Sequence, residues 1–136
     1  MVTVRNNMDT RIVCVDHTTK IMEALKMCIK SGVWSFVVLK DGLPVGVVTD
    51  RDILKRCIVE GMDPTHESVE RIMSAPLISI GPDAPIAEAL KLMTDNDIKR
   101  VFVVEKGKII GRVTQTGAFR RLLSLIIGLE SVPRTL

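Results

Sequence analysis

The residues best placed to do chemistry lie in Gly46-Val47-Val48-Thr49-Asp50-Arg51-Asp52, where a β-branched run gives way to a polar helix-start pattern. Thr49 and Asp52 stand three apart ahead of Ile53-Leu54, a capping-box-like spacing. That pattern needs no ligand, because an acid near a helix start is favoured by the helix dipole. The same residue types also suit an anion and a sugar. A threonine hydroxyl and free backbone N–H groups at a helix start can hold phosphate. A carboxylate beside them can accept hydrogen bonds from both hydroxyls of a ribose.

Other chemistry finds little support. The chain has no G-x-G-x-x-G and no Walker loop. His17 and His66 show no cysteine or carboxylate at ligand spacing, so a metal is not expected and a surface or capping role is. No serine or cysteine sits in a nucleophile setting. Asp50 and Asp52 are two apart on a helix start, so they diverge and do not form an acid/base or metal pair. The expectation is a protein that is not an enzyme.

The elements that position Thr49 and Asp52 occur twice. Shifted by 65 positions, residues 4–56 fall on 69–121 without a gap, with thirteen identities that include Met8/Met73, Gly46/Gly111, Thr49/Thr114 and Arg56/Arg121. Such a repeat is two copies of one supersecondary unit. In each copy an apolar stretch (Ile12–Val15, Leu77–Ile80) leads to a turn, with Thr18 and Asp83 as expected N-caps. Apolar residues then recur at helical spacing: Ile21, Ala24, Leu25, Cys28 and Ile29, and Ile86, Ala89, Leu90 and Met93. Ser31-Gly32 and Asn96-Asp97 end these helices. Phe36–Leu39 and Leu43–Val48 flank Lys40-Asp41-Gly42, and Val101–Val104 and Ile109–Val113 flank Glu105-Lys106-Gly107; both read as hairpins. A second helix follows each hairpin, over about 51–60 and 116–127. The unit is β-α-β-β-α. Gly61-Met62-Asp63-Pro64-Thr65 is a turn-rich connector, and 67–73 reads as a short helix. The last helix runs on through Leu122, Leu123, Leu125, Ile126, Ile127 and Leu129, too apolar for a free surface and suited to a contact. Gly46 and Gly111 are expected to permit close backbone packing.

Composition agrees with a folded protein of 136 residues, 46% apolar but only 3% aromatic. A net charge of +3 with scattered Lys and Arg reads as a solvated surface. One Trp and three Phe make a poor stacking platform for single strands, so nucleic acid is not an expected partner. Cys14, Cys28 and Cys57 lack C-x-x-C spacing and sit in apolar stretches, as buried reduced thiols of a cytoplasmic protein do. The start has no signal pattern, and no apolar run approaches membrane-spanning length.

The doubled unit with Gly-x-x-Thr-x-x-Asp at the end of its hairpin resembles the cystathionine-β-synthase (CBS) domain pair. Arg71-Ile72-Met73-Ser74-Ala75-Pro76 and Lys99-Arg100-Val101-Phe102-Val103-Val104 share the resemblance, which covers roughly 4–127. It implies an α/β (α+β) fold of tandem β-α-β-β-α repeats packed sheet to sheet with pseudo-twofold symmetry. The expected domains are 4–60 and 69–127, with 61–68 as connector and 128–136 as C-terminal tail. It implies a stand-alone regulatory module that binds AMP, ADP or ATP in a cleft between the domains. No cofactor is implied beyond that regulatory ligand, with Mg accompanying ATP. A homodimer is implied too, with a regulated partner that the sequence does not name. By the same resemblance Thr49 contacts phosphate, Asp52 the ribose hydroxyls, and Lys99 and Arg100 the phosphates. Ile12 and Val13 with Ile72, Met73, Ala75, Pro76 and Leu77 are candidates to flank the adenine. Asp50 and Arg51 decorate the helix start.

The copies differ where this chemistry would sit. Gly117 stands at the position of Asp52, and Trp34 and Ser35 stand at the positions of Lys99 and Arg100. One competent nucleotide site and one divergent site are therefore expected, with Trp34 taken up in core or interface packing. The alternatives are a dimeric interaction scaffold that has lost nucleotide binding, or a module that binds S-adenosylmethionine or nucleic acid.

Overall fold

Each repeat lays a short parallel strand beside a tight hairpin and covers the sheet with helices. The computed structural model describes residues 2–128; Leu129 and the rest of the expected tail lie outside them. In the first repeat β1 (Cys14–Asp16), α1 (Ile21–Ser31), β2 (Ser35–Lys40) and β3 (Leu43–Thr49) are followed by α2 (Asp50–Asp52). In the second, β4 (Ser79–Ile80), α3 (Ile86–Asp95), β5 (Arg100–Glu105), β6 (Lys108–Thr114) and α4 (Gln115–Ile127) follow the same order. The sheets are ordered β1-β2-β3 and β4-β5-β6, the first pairing in each parallel and the second antiparallel.

The hairpins turn in two residues, Asp41-Gly42 and Lys106-Gly107. All four have positive φ, at 52° and 76° in each turn. That is the mirror-image turn whose twist matches a right-handed hairpin, and glycine takes its second position without steric cost.

The compact units are not bounded as the repeats are. Residues 11–77 form one unit; among the described residues, 2–10 and 78–128 form the other. Each repeat therefore takes its lead-in from the stretch of chain before its counterpart. Val69 and Ile72 are fully buried in the core of the first repeat with Ile21, Ala24, Phe36, Val38 and Val48. Val4 is fully buried with Ile86, Ala89, Val101, Val103 and Val113 of the second. The expected short helix at 67–73 is a single 3₁₀ turn, Val69–Arg71.

Helix entry departs from the sequence reading. The N-caps are Lys20 and Pro85, neither with a side-chain cap, and Thr18 and Asp83 lie two residues upstream. Backbone from the lead-in segments does the capping instead. Ile21 N donates to Glu67 O and Met22 N to Pro64 O, while Ile86 N donates to Val2 O. These bonds satisfy N–H groups that a helix start leaves open. Thr18 spends its hydroxyl on Asp16. Ile29, expected on the apolar face, is 70% exposed, since Ile21, Ala24 and Cys28 already fill that face.

The second helix of the first repeat also differs. After α2 the chain widens into a π-helix, Ile53–Ile58, closed by Val59 N donating to Leu54 O. Its counterpart α4 is α-helical throughout. Phe119, Leu125, Ile126 and Ile127 of α4 are exposed, as are Trp34, Leu54, Ile58 and Val59. Trp34 is thus outside the core. Cys28 and Cys57 are buried and Cys14 is half-buried, all as free thiols. Burial pushes the Cys14 and Cys57 thiols up, which keeps them protonated.

Gly46 and Gly111 are where a lead-in segment meets the last strand. A Cβ on Gly46 would lie 2.7 Å from Met73 Sδ and 2.8 Å from Ser74 O. On Gly111 it would lie 2.7 Å from Met8 Sδ and 3.0 Å from Asp9 O. Gly46→Ala and Gly111→Ala are each expected to destabilise by about 1–3 kcal/mol in denaturant melts, the usual cost of overpacking. Gly81→Ala, with nothing within 4 Å of the added carbon, should stay close to wild type. In the connector, the Thr65 hydroxyl and amide hydrogen-bond Asp63 and hold its carboxyl at about 2. That stabilisation is present above the ordinary carboxylate value and is lost as pH falls through about 2. Carbon-detected NMR should place the Asp63 titration there, and Thr65→Ala should return it toward the normal range.

Candidate functional site

Strand β3 ends at Thr49, and its extended backbone turns directly into α2. Thr49 Oγ1 accepts from Asp52 N at 3.3 Å, and Asp52 Oδ2 accepts from Thr49 N at 2.9 Å. The expected capping box is thus formed, and its reciprocal bonds fix the Asp52 rotamer. Oδ1, the other carboxylate oxygen, accepts from Ser74 Oγ at 3.3 Å and lies 3.9 Å from Arg56 Nε. The Asp52 side chain is 13% exposed, so the carboxylate is at a rim and neither sealed in the core nor fully solvated.

Ser74 reaches this carboxylate because its segment is stitched to β3. Ser74 N donates to Val47 O and Val47 N donates to Ser74 O. Met73, Ala75 and Pro76 follow the same rim, Met73 half-buried and the other two exposed. These residues and the helix start therefore belong to one unit and one edge of it.

Not every expected residue joins them. Val13 is 4% exposed in the core, and its carbonyl accepts from Val37 N, so its side chain offers a ligand no surface. Ile72 is likewise fully buried, whereas Ile12 and Leu77 are half-buried. Asp50 is exposed, and its Oδ1 accepts from Arg51 N at 3.0 Å. Arg51 is exposed. Lys99 and Arg100 belong to the other unit, where Arg100 pairs across the hairpin with Thr114 and Lys99 O accepts from Gln115 N.

The equivalent position in the second repeat is built differently. Thr114 Oγ1 accepts from Gly117 N at 3.0 Å, with no carboxylate to return the bond. Asp9 takes the place of Ser74 and pairs with the buried Arg112, Nη2 to Oδ2 at 3.1 Å. Sequence reasoning missed Arg56, Ser74 and the Asp9–Arg112 pair. The Arg56/Arg121 identity was the available signal for the first. Nothing local marks the other two, because the partners are 22 and 103 residues apart. Each histidine bonds one carboxylate at the surface, His17 to Glu70 and His66 to Asp63. Among the described residues no group of three ligating side chains forms a metal site.

The CBS domain family pattern matches residues 3–58 and 69–124, one match on each repeat. The chain belongs to the CBS domain family. It is 30% identical over 113 residues to the CBS domain-containing protein YhcV of Bacillus subtilis, covering 83% of this chain and 80% of that one. It spans less than half of some other curated relatives, such as 43% of protein MK0525 of Methanopyrus kandleri, to which it is 36% identical over 85 residues. A conserved protein from Pyrococcus horikoshii has a crystal structure with TM-score 0.80 at 32% identity, covering 89% of this chain and 92% of that one. The fold also matches CBSX2, solved in complex with AMP, with TM-score 0.75 at 24% identity over 92% of this chain and 98% of that one. No helix among the described residues is long and apolar enough to cross a membrane. CBS domains are regulatory modules, and the helix-start carboxylate is present in only one of this chain's two. Thr49→Ala should lower stability by about 1 kcal/mol, the usual cost of a lost N-cap, measured by urea melts.

Proposed function

We propose that this chain is a regulatory module that binds an adenine nucleotide and carries out no catalysis of its own. The observation that carries the reading is the Thr49–Asp52 pair: a fixed carboxylate and a threonine hydroxyl at a rim, beside a helix start and the Met73–Pro76 edge. Asp52 receives the ribose hydroxyls, Thr49 the phosphate, and Met73, Ala75 and Pro76 flank the base. The AMP found with CBSX2 supports an adenine ligand for the fold. The resemblance alone assigns Lys99 and Arg100 to the phosphates, with Mg accompanying ATP. Nucleotide would regulate a partner to the extent that its affinity differs between two states of the module. Self-association is part of the proposal, since the exposed apolar residues of α4 suit a homodimer.

A second reading draws on one specific observation. Asp52 already accepts from Thr49 and Ser74 and faces Arg56, so its polar capacity is partly used without a ligand. A dimeric scaffold that has lost nucleotide binding would look the same. Calorimetry with AMP, ADP and ATP separates the two, and absence of heat from folded protein at millimolar ligand supports the scaffold. On the nucleotide reading, Asp52→Ala weakens binding at least tenfold, about 1.4 kcal/mol, while sedimentation shows an unchanged oligomer. Replacing Lys99 and Arg100 by Gln should weaken ATP more than adenosine; equal loss for both would remove them from the phosphate role.

A further inference from the structure

Arg56 touches both edges of the proposed site without lying in the motif that defines it. Its Nη1 donates to Met73 O at 2.8 Å and to Ile72 O at 3.3 Å, and its Nε stands 3.9 Å from Asp52 Oδ1. A guanidinium carries five donors in a rigid fork, so one side chain can tie two carbonyls and a carboxylate at fixed spacing. The flexible single ammonium of a lysine has no such geometry. Arg56 lies within the π-helix, which begins directly after Asp52.

The two edges have separate tasks in the nucleotide reading, on which this inference rests. Asp52 takes the sugar, and Met73–Pro76 takes the base. A nucleoside is a rigid gauge: its sugar and base are a fixed distance apart, so both edges must be held in register for both contacts to form. The backbone bridge between Val47 and Ser74 holds the far edge against the strand. Arg56 holds it against the helix start. The second repeat keeps an arginine at the equivalent position, Arg121, but has Gly117 where the carboxylate would be.

We propose that Arg56 is a positioning residue for the nucleotide, setting the spacing between the Asp52 carboxylate and the Ile72–Met73 backbone. It acts through those groups and needs no contact with the ligand. The distinguishing prediction is that its loss harms ligands that span both edges and spares those that reach only one.

The test compares wild type with Arg56→Lys and Arg56→Met, using AMP by calorimetry and ribose 5-phosphate by NMR titration. Arg56→Lys keeps the charge and serves as the reporter should Arg56→Met fail to fold, with thermal melts checking both. AMP affinity is expected to fall about tenfold in both variants, the scale of losing charge-assisted hydrogen bonds. Ribose 5-phosphate, which reaches Asp52 but not Met73–Pro76, should change less than about twofold. Combining Asp52→Ala with Arg56→Lys should weaken AMP no further than Asp52→Ala alone, since the two act as one unit. An Arg56→Lys protein that binds AMP as wild type does, or that loses both ligands in equal proportion, overturns the assignment and leaves the nucleotide reading standing. A wild-type protein that binds no AMP overturns both.

Discussion

The structure of the candidate site depends on one close approach, that of the Met73–Ser74 backbone to Gly46. The glycine leaves no Cβ to hold the strands apart, so Ser74 pairs with Val47 and its hydroxyl comes within reach of Asp52. A carboxylate that would otherwise be a helix cap thereby gains a second wall. The same contact recurs between Gly111 and Met8–Asp9, with the same methionine sulfur over the glycine. Buried lead-in residues, Val69 and Ile72 in one unit and Val4 in the other, stabilise each approach. Full burial of each such side chain contributes about 1.5–3 kcal/mol.

With that frame held constant, the polar residues were free to diverge. The first repeat has Asp52 with Ser74 and Arg56. The second has Gly117, and a carboxylate enters from the lead-in as Asp9, where it is matched by Arg112. Only the Arg112 end of this pair is buried, so losing the partly exposed Asp9 would strand the guanidinium. The second repeat therefore pairs its lead-in carboxylate with Arg112, while the first sets its helix-start carboxylate against Ser74 and Arg56.

The helices tell a related story about local and distant control. The sequence pattern located all four second-helix and first-helix segments, because periodicity is a local property that burial enforces. It misplaced the caps at Thr18 and Asp83. There the open N–H groups are met by carbonyls of Glu67, Pro64 and Val2, and no sequence-local pattern records where a distant carbonyl will lie. The π-helix at Ile53–Ile58 is similar: nothing in its residues forbids an ordinary α-helix.

The repeat, the hairpins with their glycine turns, the Thr49–Asp52 cap and the loss of its carboxylate in the second copy were all legible in the chain. They depend on residue type and short spacing, and short-range sterics and hydrogen bonding decide them. Which lead-in segment serves which repeat, the burial of Val13, and the partners Ser74 and Arg56 of the key carboxylate were decided only in three dimensions. Those outcomes depend on which surfaces the core must bury, and burial pairs residues by distance through space, which spacing along the chain does not encode.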